Sequence, residues 1–564
     1  MVHGLTAQQN CSFWISTLIF LGLVFLGSIV YPAQTANAKS KYSYHNNRAL
    51  VLVEEEPIYN GLTRAELFLG PYYQDGSRSV VQEPDGMPEV TEPDGSEPDV
   101  TDVTSQEGTS IVPLCRFGVN VNSDNGPDIS TYEIDELRLG WYINYLATPT
   151  PSRPNGMEYA PVVRLAQTGP DSYAYSPGPN QLLQAIANNP GADWLIGNEP
   201  DRQQFQDGIE PHLYARAYHE LYGLIKEADP NAKVFAGTIV QPTQLRLRYL
   251  KLILTNYRET FGEPMPVDGW AIHNFLLNEA SCEHYQDLNV CWGADIPPGI
   301  AALDGLNISV EDNDNMDLFA LQIQLFRQWM CEEGYQNAAL YVSEYGVLMP
   351  ATFGFNSARV NIFMDQSFDY MLHARDFLTG NPNDDYRLVQ RLSWYSISDI
   401  QRFNGYLFRP SAVDPSGYQR SQMGDNFVEY VSEINAYTDI YPAEFTVNPP
   451  SSLQQSGRIT ATLEAVIANS GNRLTADSAI VRFYQGDPSN GGVQMGTDQT
   501  VSLTGCGDQA TVQMVWPNVV PDQYSFYVEV EPANSSEDLD LSNNRSQTRL
   551  LFITDQVFLP LIYR

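Results

Sequence analysis

The chain is short of basic residues: its 564 residues carry 31 Lys and Arg against 68 Asp and Glu, a formal net charge of -37. A surface of that sign repels phosphate backbones, which excludes nucleic acid and anionic lipid as partners and leaves neutral ligands such as sugars. Lys and Arg are absent from the first eleven residues and from the apolar run Phe13 to Val30 that follows. A glycine-rich phosphate fingerprint is absent after the first strand-like run, which argues against a dinucleotide-binding open sheet. Apolar residues are not in short supply. Hydrophobic residues make up 43% and aromatics 12%, with 33 Tyr and 8 Trp, enough to exclude global disorder.

The run Phe13 to Val30 is followed by Ala36-Asn37-Ala38, the small-x-small pattern of a signal-peptide cleavage site. Residues 1–38 are therefore expected to be a signal peptide, cut after Ala38, with an uncleaved membrane anchor as the other reading. Either way the protein is expected outside the cytoplasm. Cys11 would leave with the signal, and the remaining cysteines are Cys115, Cys282, Cys291, Cys331 and Cys506. Cys282 and Cys291 share one polar loop and are expected to form a disulfide in an oxidising compartment. A metal site is the competing reading because Glu283 and His284 adjoin Cys282, but the spacing matches no familiar zinc pattern, so no metal is assigned.

Residues 39–110 read as an N-terminal segment and an acidic, proline-rich linker with the near repeat Glu83-Pro84-Asp85-Gly86, Glu92-Pro93-Asp94-Gly95 and Glu97-Pro98-Asp99. From residue 111 to 441 the pattern changes to eight strand-like runs: Arg116–Val121, Leu139–Tyr145, Ala160–Leu165, Trp194–Asn198, Val234–Gly237, Gly269–His273, Leu340–Ser343 and Leu392–Ser396. Amphipathic stretches lie between them, most clearly Glu210–Ala228, Gln244–Phe261, Asp314–Gly334 and Ser357–Leu378. That alternation predicts an α/β fold of the (β/α)8 TIM-barrel type, with the second helix replaced by the proline-rich interval 146–159. A doubly wound sheet is the alternative. From residue 443 to 555 short runs alternate with turn residues, which predicts an all-β immunoglobulin-like sandwich, with 556–564 as a C-terminal tail. The stretches Ala465–Gly471, Val481–Gly486 and Leu541-Ser542-Asn543-Asn544 resemble the CARDB family of adhesion-related modules, which implies a spacer or an attachment to a cell surface or matrix.

Barrel chemistry belongs at the carboxyl ends of the strands. The fourth run ends in Gly197-Asn198-Glu199-Pro200 and the seventh in Ser343-Glu344-Tyr345. Two carboxyl groups facing one mouth are the minimum equipment for glycoside hydrolysis. Asn198-Glu199 and Glu344 resemble the signature of the glycoside hydrolase clan A superfamily, retaining barrel enzymes. The resemblance implies Glu199 as acid/base, Asn198 as the partner of the sugar 2-hydroxyl and Glu344 as nucleophile, with no cofactor. Gly197 to Asp201 together with Leu139 to Tyr145 are similar to the alkali-sensitive-linkage protein catalytic domains, close to β-glucanases.

Further candidates for substrate binding are His273, Trp394, Tyr345 and Arg164. His273 ends the sixth run, placed to hydrogen-bond the nucleophile or a sugar hydroxyl, and reads equally as a satisfied core histidine; Trp394 and Tyr395 end the eighth run, where an aromatic face can stack under a sugar ring. Arg164 reads as an orienting cation or a buried ion-pair member, and Tyr345 as a site or packing residue. The expected partner is a polysaccharide or oligosaccharide and the expected state a monomer. The rival reading is a non-catalytic carbohydrate-binding or adhesion protein, and a weaker one is transglycosylation on the same residues.

Overall fold

The computed structural model describes residues 112–121, 126–203, 206–280, 293–400, 403–448, 459–520 and 522–552. The expected signal segment, the acidic linker, the Cys282–Cys291 pair and the C-terminal tail lie outside the described residues. Among the described residues no helix is long and apolar enough to cross a membrane.

The fold is mixed α/β. A ten-stranded sheet comprises β1 (Leu114–Asn120), β2 (Leu139–Ile143), β3 (Glu158–Tyr159), β4 (Val162–Gly169), β5 (Ser172–Ser176), β6 (Asp193–Ile196), β7 (Lys233–Ile239), β8 (Gly269–His273), β9 (Ala339–Tyr345) and β10 (Arg391–Trp394). Its spatial order is β3-β2-β1-β10-β9-β8-β7-β6-β4-β5. Neighbours pair in parallel except β5, which folds back antiparallel on β4. Each of the eight expected runs overlaps one of these strands, with ends that differ by up to four residues. The two strands at the limits of the parallel ladder, β3 and β4, are separated in the chain only by Ala160 and Pro161.

Side chains alternate between the two faces of the sheet. Trp141, Ile143, Val162, Leu195, Phe235, Ala271 and Tyr341 form one inner cluster, with the Trp141 and Tyr341 rings 5.5 Å apart between strands that are not neighbours, so the sheet curls. The other face packs against helices: α1 (Pro179–Asn188), α2 (Pro211–Ala228), α3 (Gln244–Phe261), α4 (Met316–Glu332), α5 (Ser357–His373) and α6 (Gln422–Ser432). In α2 the buried residues Tyr214, Tyr218, Leu221 and Ile225 recur at three- and four-residue spacing, the stripe expected of a helix laid on a sheet. The expected helices match α2 to α5 closely, and the interval 146–159 holds no α-helix. A small hairpin, β11 (Phe408–Pro410) and β12 (Tyr418–Arg420), precedes α6.

The remaining strands are antiparallel. A three-stranded sheet orders β13 (Ile440–Asn448), β14 (Ile459–Asn469) and β17 (Asp508–Val519). A four-stranded sheet orders β16 (Val493–Leu503), β15 (Asp477–Gln485), β18 (Gln523–Pro532) and β19 (Arg549–Phe552). Both sheets contribute to one core that includes Leu463, Ile467, Val481, Phe483, Val512 and Val528.

The sandwich is fastened to the amino end of β1. Cys115 and Cys506 form a disulfide, and the neighbouring Arg116 donates to both carboxylate oxygens of Asp384 at 2.7 and 2.8 Å and to the Ser470 carbonyl at 2.9 Å. Arg387 adds a second guanidinium 3.1 Å from Asp384 and 3.2 Å from the same carbonyl. Burial alone would raise the Asp384 carboxyl, but Arg116 and Arg387 outweigh it and hold the group below the usual carboxylate range. Its contribution to stability is thus present above about pH 4 and lost as the pH falls through the depressed value. Asp384→Asn strands buried guanidinium charge, so urea denaturation followed by fluorescence is expected to show a loss of about 3 kcal/mol at neutral pH. An unchanged midpoint would contradict this account of the junction.

Candidate active site

Glu199 sits three residues beyond the end of β6, and Glu344 is the penultimate residue of β9. Two β-bulges aim these groups. Thr238 is an extra residue in β7 relative to β8, and β9 carries one extra residue at Ser343/Glu344 relative to both β8 and β10. The second bulge resets the alternation so that Glu344 turns inward and Tyr345 outward. Tyr145, Glu199 and Thr238, all near carboxyl ends of strands, have positive φ values of 62°, 45° and 50°. Non-glycine residues in the left-handed region carry strain that must be held by their surroundings. For Glu199 the Thr238 carbonyl at 3.0 Å does this by accepting from the backbone N–H.

His273, at the end of β8, lies between the two carboxylates. Its Nδ1 is 3.1 Å from Glu199 Oε1 and its Nε2 is 3.5 Å from Glu344 Oε2. One oxygen of each carboxylate and one ring nitrogen all lie within 4.8 Å of one another, and all three side chains are buried. On the far side of Glu199, Arg202 Nη1 is 3.2 Å from Oε2. Glu344 Oε2 instead accepts from the Tyr145 hydroxyl at 2.8 Å. Arg202 is itself anchored by the Gly293 carbonyl at 3.2 Å.

Burial raises the carboxyl groups of both residues. At Glu199 it is outweighed by Arg202 and His273, which hold the group down to about 2. At Glu344 burial dominates and the Glu199 charge adds to it, against the opposing His273, so that carboxyl is pushed up to about 7. Burial would lower His273, but Glu344 and Glu199 outweigh it and raise it. The resting site therefore keeps Glu199 ionised and the labile proton on the Glu344 side. Three donor atoms facing one point are also the geometry of a divalent-cation site, but the Arg202 guanidinium already neutralises Glu199, which favours proton chemistry over metal ligation.

Beneath the loop, Asp201 and Arg246 form a fully buried ion pair, and Arg246 Nε reaches Glu279 at 2.8 Å. This network ties α3 to the segments that follow β6 and β8.

The structure brings Glu199, Glu344 and His273 together and sets Asn198 beside them. Asn198 is buried, its backbone N–H donates to Asp207 at 2.8 Å and its side chain to Gln206 at 3.1 Å. Arg164 Nε donates to the same Asp207 at 2.7 Å and Nη2 to Gln206 at 3.0 Å, so it acts on the loop behind Asn198 rather than on either Glu. Trp394 and Tyr345 do not face the mouth. Their rings pack against each other at 5.4 Å in the helix-facing layer, with Trp394 also against Phe368 of α5 and its Nε1 donating to the Gly405 carbonyl. Alternation along β10 turns Trp394 outward and Tyr395 inward, and the β9 bulge does the same to Tyr345 and Glu344. Tyr395 instead joins Phe275 and Tyr145 at the mouth.

Sequence reasoning missed Tyr145 and Arg202. Tyr145 closes the second strand-like run, where a barrel-mouth residue is to be sought; Arg202 follows Glu199 by one helical turn's spacing, a weaker signal.

No family model matches the chain, and no curated protein matches it. Among solved structures, a GH39 enzyme from Xanthomonas axonopodis pv. citri is 11% identical, covering 75% of this chain and 96% of that one with a TM-score of 0.37. A family 51 α-L-arabinofuranosidase from Bifidobacterium longum is 13% identical over 72% of this chain and 97% of its own, with a TM-score of 0.36. A CARDB domain from Pyrococcus furiosus is 19% identical over 21% of this chain and 90% of its own, with a TM-score of 0.16.

The opposed shifts give opposite stability effects. Glu199→Gln removes the carboxylate that faces both the Arg202 guanidinium and the His273 ring, and is expected to cost about 2 kcal/mol at neutral pH. A raised carboxyl destabilises the folded protein as pH rises from its unfolded value to about 7. Glu344→Gln removes that penalty, so its thermal midpoint should gain on wild type between pH 4.5 and pH 8. A gap that shrinks with rising pH would contradict the assignment.

Proposed function

We propose that the protein is a secreted glycoside hydrolase acting on a β-linked polysaccharide or oligosaccharide by the retaining, double-displacement route. The observation that carries this reading is the approach of the Glu199 and Glu344 carboxylate oxygens to within 4.8 Å. Retention needs carboxyl groups about 5 to 5.5 Å apart, whereas inversion needs about 6.5 to 9.5 Å to admit a water. In this reading Glu344 attacks the anomeric carbon while Glu199 protonates the departing glycosidic oxygen. Glu199 then takes a proton from the water that hydrolyses the glycosyl-enzyme ester. Asn198 holds the sugar 2-hydroxyl, and Tyr145 steadies the Glu344 oxygen left as a leaving group in the second step. Arg164 positions Asn198 through Asp207.

The parallel ladder supports a closed (β/α)8 barrel: β3 and β4 are one strand interrupted at Ala160-Pro161, pairing with β2 on one side and β6 on the other. The Cys115–Cys506 disulfide supports an oxidising, extracellular setting. The sandwich sits at the amino ends of the strands, away from the mouth, as suits a module that connects a monomeric enzyme to a cell surface or matrix.

Incubation with β-glucan, xylan and mannan oligomers is expected to release reducing sugar whose anomeric configuration, read by NMR, is initially that of the substrate. Glu344→Gln should lower kcat at least ~1000-fold while sugar binding persists. Sugar binding by wild type without release would replace the enzyme reading with a carbohydrate-binding one. Inverted product would overturn the double displacement.

A further inference from the structure

The proposed roles and the resting charges point in opposite directions. Glu199 needs a proton to act as the acid, yet it is the carboxylate that Arg202 holds ionised at 3.2 Å. Glu344 needs to be ionised to attack, yet it faces a hydroxyl, Tyr145, and no guanidinium within ion-pair distance among the described residues. One proton therefore has to cross from one carboxyl to the other before the glycosidic bond breaks. The imidazole of His273 spans that gap, with a different ring nitrogen on each carboxylate.

We propose that His273 is a proton relay between the two carboxyl groups. This rests on the glycosidase reading and goes beyond the hydrogen bond to the nucleophile or to a sugar hydroxyl expected of the residue. At rest, Nδ1–H donates to Glu199 Oε1 and a second proton is held between Nε2 and Glu344 Oε2. As the anomeric carbon, with its growing positive charge, approaches Glu344, that carboxylate gives up its share of the proton. The Nε2–H bond becomes complete, the Nδ1–H bond breaks, and its proton passes to Glu199 Oε1. The balance is closed: the O–H bond lost at Glu344 is regained at Glu199, the imidazole is neutral with its tautomer exchanged, and no outside acid or base is consumed. When Glu199 later deprotonates water and the glycosyl ester is cleaved, the reverse transfer restores the resting state.

The surroundings fit a relay rather than a fixed hydrogen bond. His273 is buried and held by the β8–β9 ladder, where it pairs in register with Glu344. The charged and titratable groups facing it are Glu344 from β9, Glu199, Asp201 and Arg202 from the loop after β6, and Tyr145 from the end of β2. Asp201 is committed to Arg246, so neither it nor Arg246 competes for the travelling proton. A buried imidazole needs a partner at each ring nitrogen, and a backbone carbonyl or hydroxyl would serve a ring that only packed. This one has an acidic partner at each nitrogen.

Two measurements test the proposal, one of them independent of catalysis. In wild-type protein with 15N-labelled imidazole, NMR is expected to show Nδ1 protonated at pH 5 to 7 and Nε2 sharing a proton. Glu344→Gln should abolish the sharing at Nε2 while Nδ1 stays protonated. A free-protein tautomer with Nε2–H alone and a bare Nδ1 would overturn the relay without touching the glycosidase reading.

The second measurement compares methyl and 2,4-dinitrophenyl β-glycosides of glucose and xylose, of which only the former need acid assistance. His273→Gln, and His273→Asn as a smaller alternative, should lose at least ~100-fold in kcat/KM on the methyl glycosides at every pH. On the dinitrophenyl glycosides the loss should be confined to low pH and recover as Glu344 ionises above about pH 7. Equal losses on both substrates at all pH values would mean a structural role and overturn the relay. Absence of wild-type turnover on any glycoside would overturn the functional reading instead, leaving the NMR result standing on its own.

Discussion

Two carboxyl groups cannot both stay ionised when they are buried within 4.8 Å of each other. At that separation their repulsion is several kcal/mol at the effective dielectric of a protein interior. The site resolves the conflict by asymmetry: Arg202 on Glu199, a neutral phenol on Glu344, and an imidazole between them. The same constraint makes a single travelling proton available for chemistry. Without Arg202 the proton would have no preferred residence, and without His273 it would have no direct path.

The rest of the parallel sheet serves that arrangement. Bulges in β7 and β9 rotate side chains at the strand ends, and the left-handed backbone at Tyr145, Glu199 and Thr238 shows where regular strand geometry has been given up. The buried Asp201–Arg246–Glu279 network braces the loop that carries Glu199 and Arg202 against α3. At the opposite ends of the strands the chain is closed by different means, a disulfide and the Arg116–Asp384–Arg387 cluster. The carboxylate site and the junction with the sandwich are thus held by separate sets of charges at opposite ends of the strands.

Much of this was legible in the sequence because buried parallel strands read as short apolar runs. Glu199 and Glu344 stood out because each follows such a run directly. The errors trace to features with no local signature. A one-residue bulge in β9 cannot be seen in a run of apolar residues, yet it decides that Glu344 and not Tyr345 faces inward, and simple alternation in β10 sends Trp394 to the helices. Tyr145 reaches Glu344 across 199 residues of chain, a contact that only the curl of the folded sheet creates. The helices α1 and α6 were passed over because they are short, at 10 and 11 residues, and their apolar positions are few. The Cys115–Cys506 pair, 391 residues apart, likewise has no local signal.

The central claim is that Glu344 becomes covalently bonded to sugar while Glu199 does not. It is tested most directly by incubating the protein with 2,4-dinitrophenyl 2-deoxy-2-fluoro-β-glycosides of glucose and xylose, then measuring intact mass and mapping the labelled peptide. The account predicts one added fluoroglycosyl group per chain, located on Glu344. A label on Glu199 would reverse the roles, and no label on a protein that still releases reducing sugar would contradict the double-displacement mechanism.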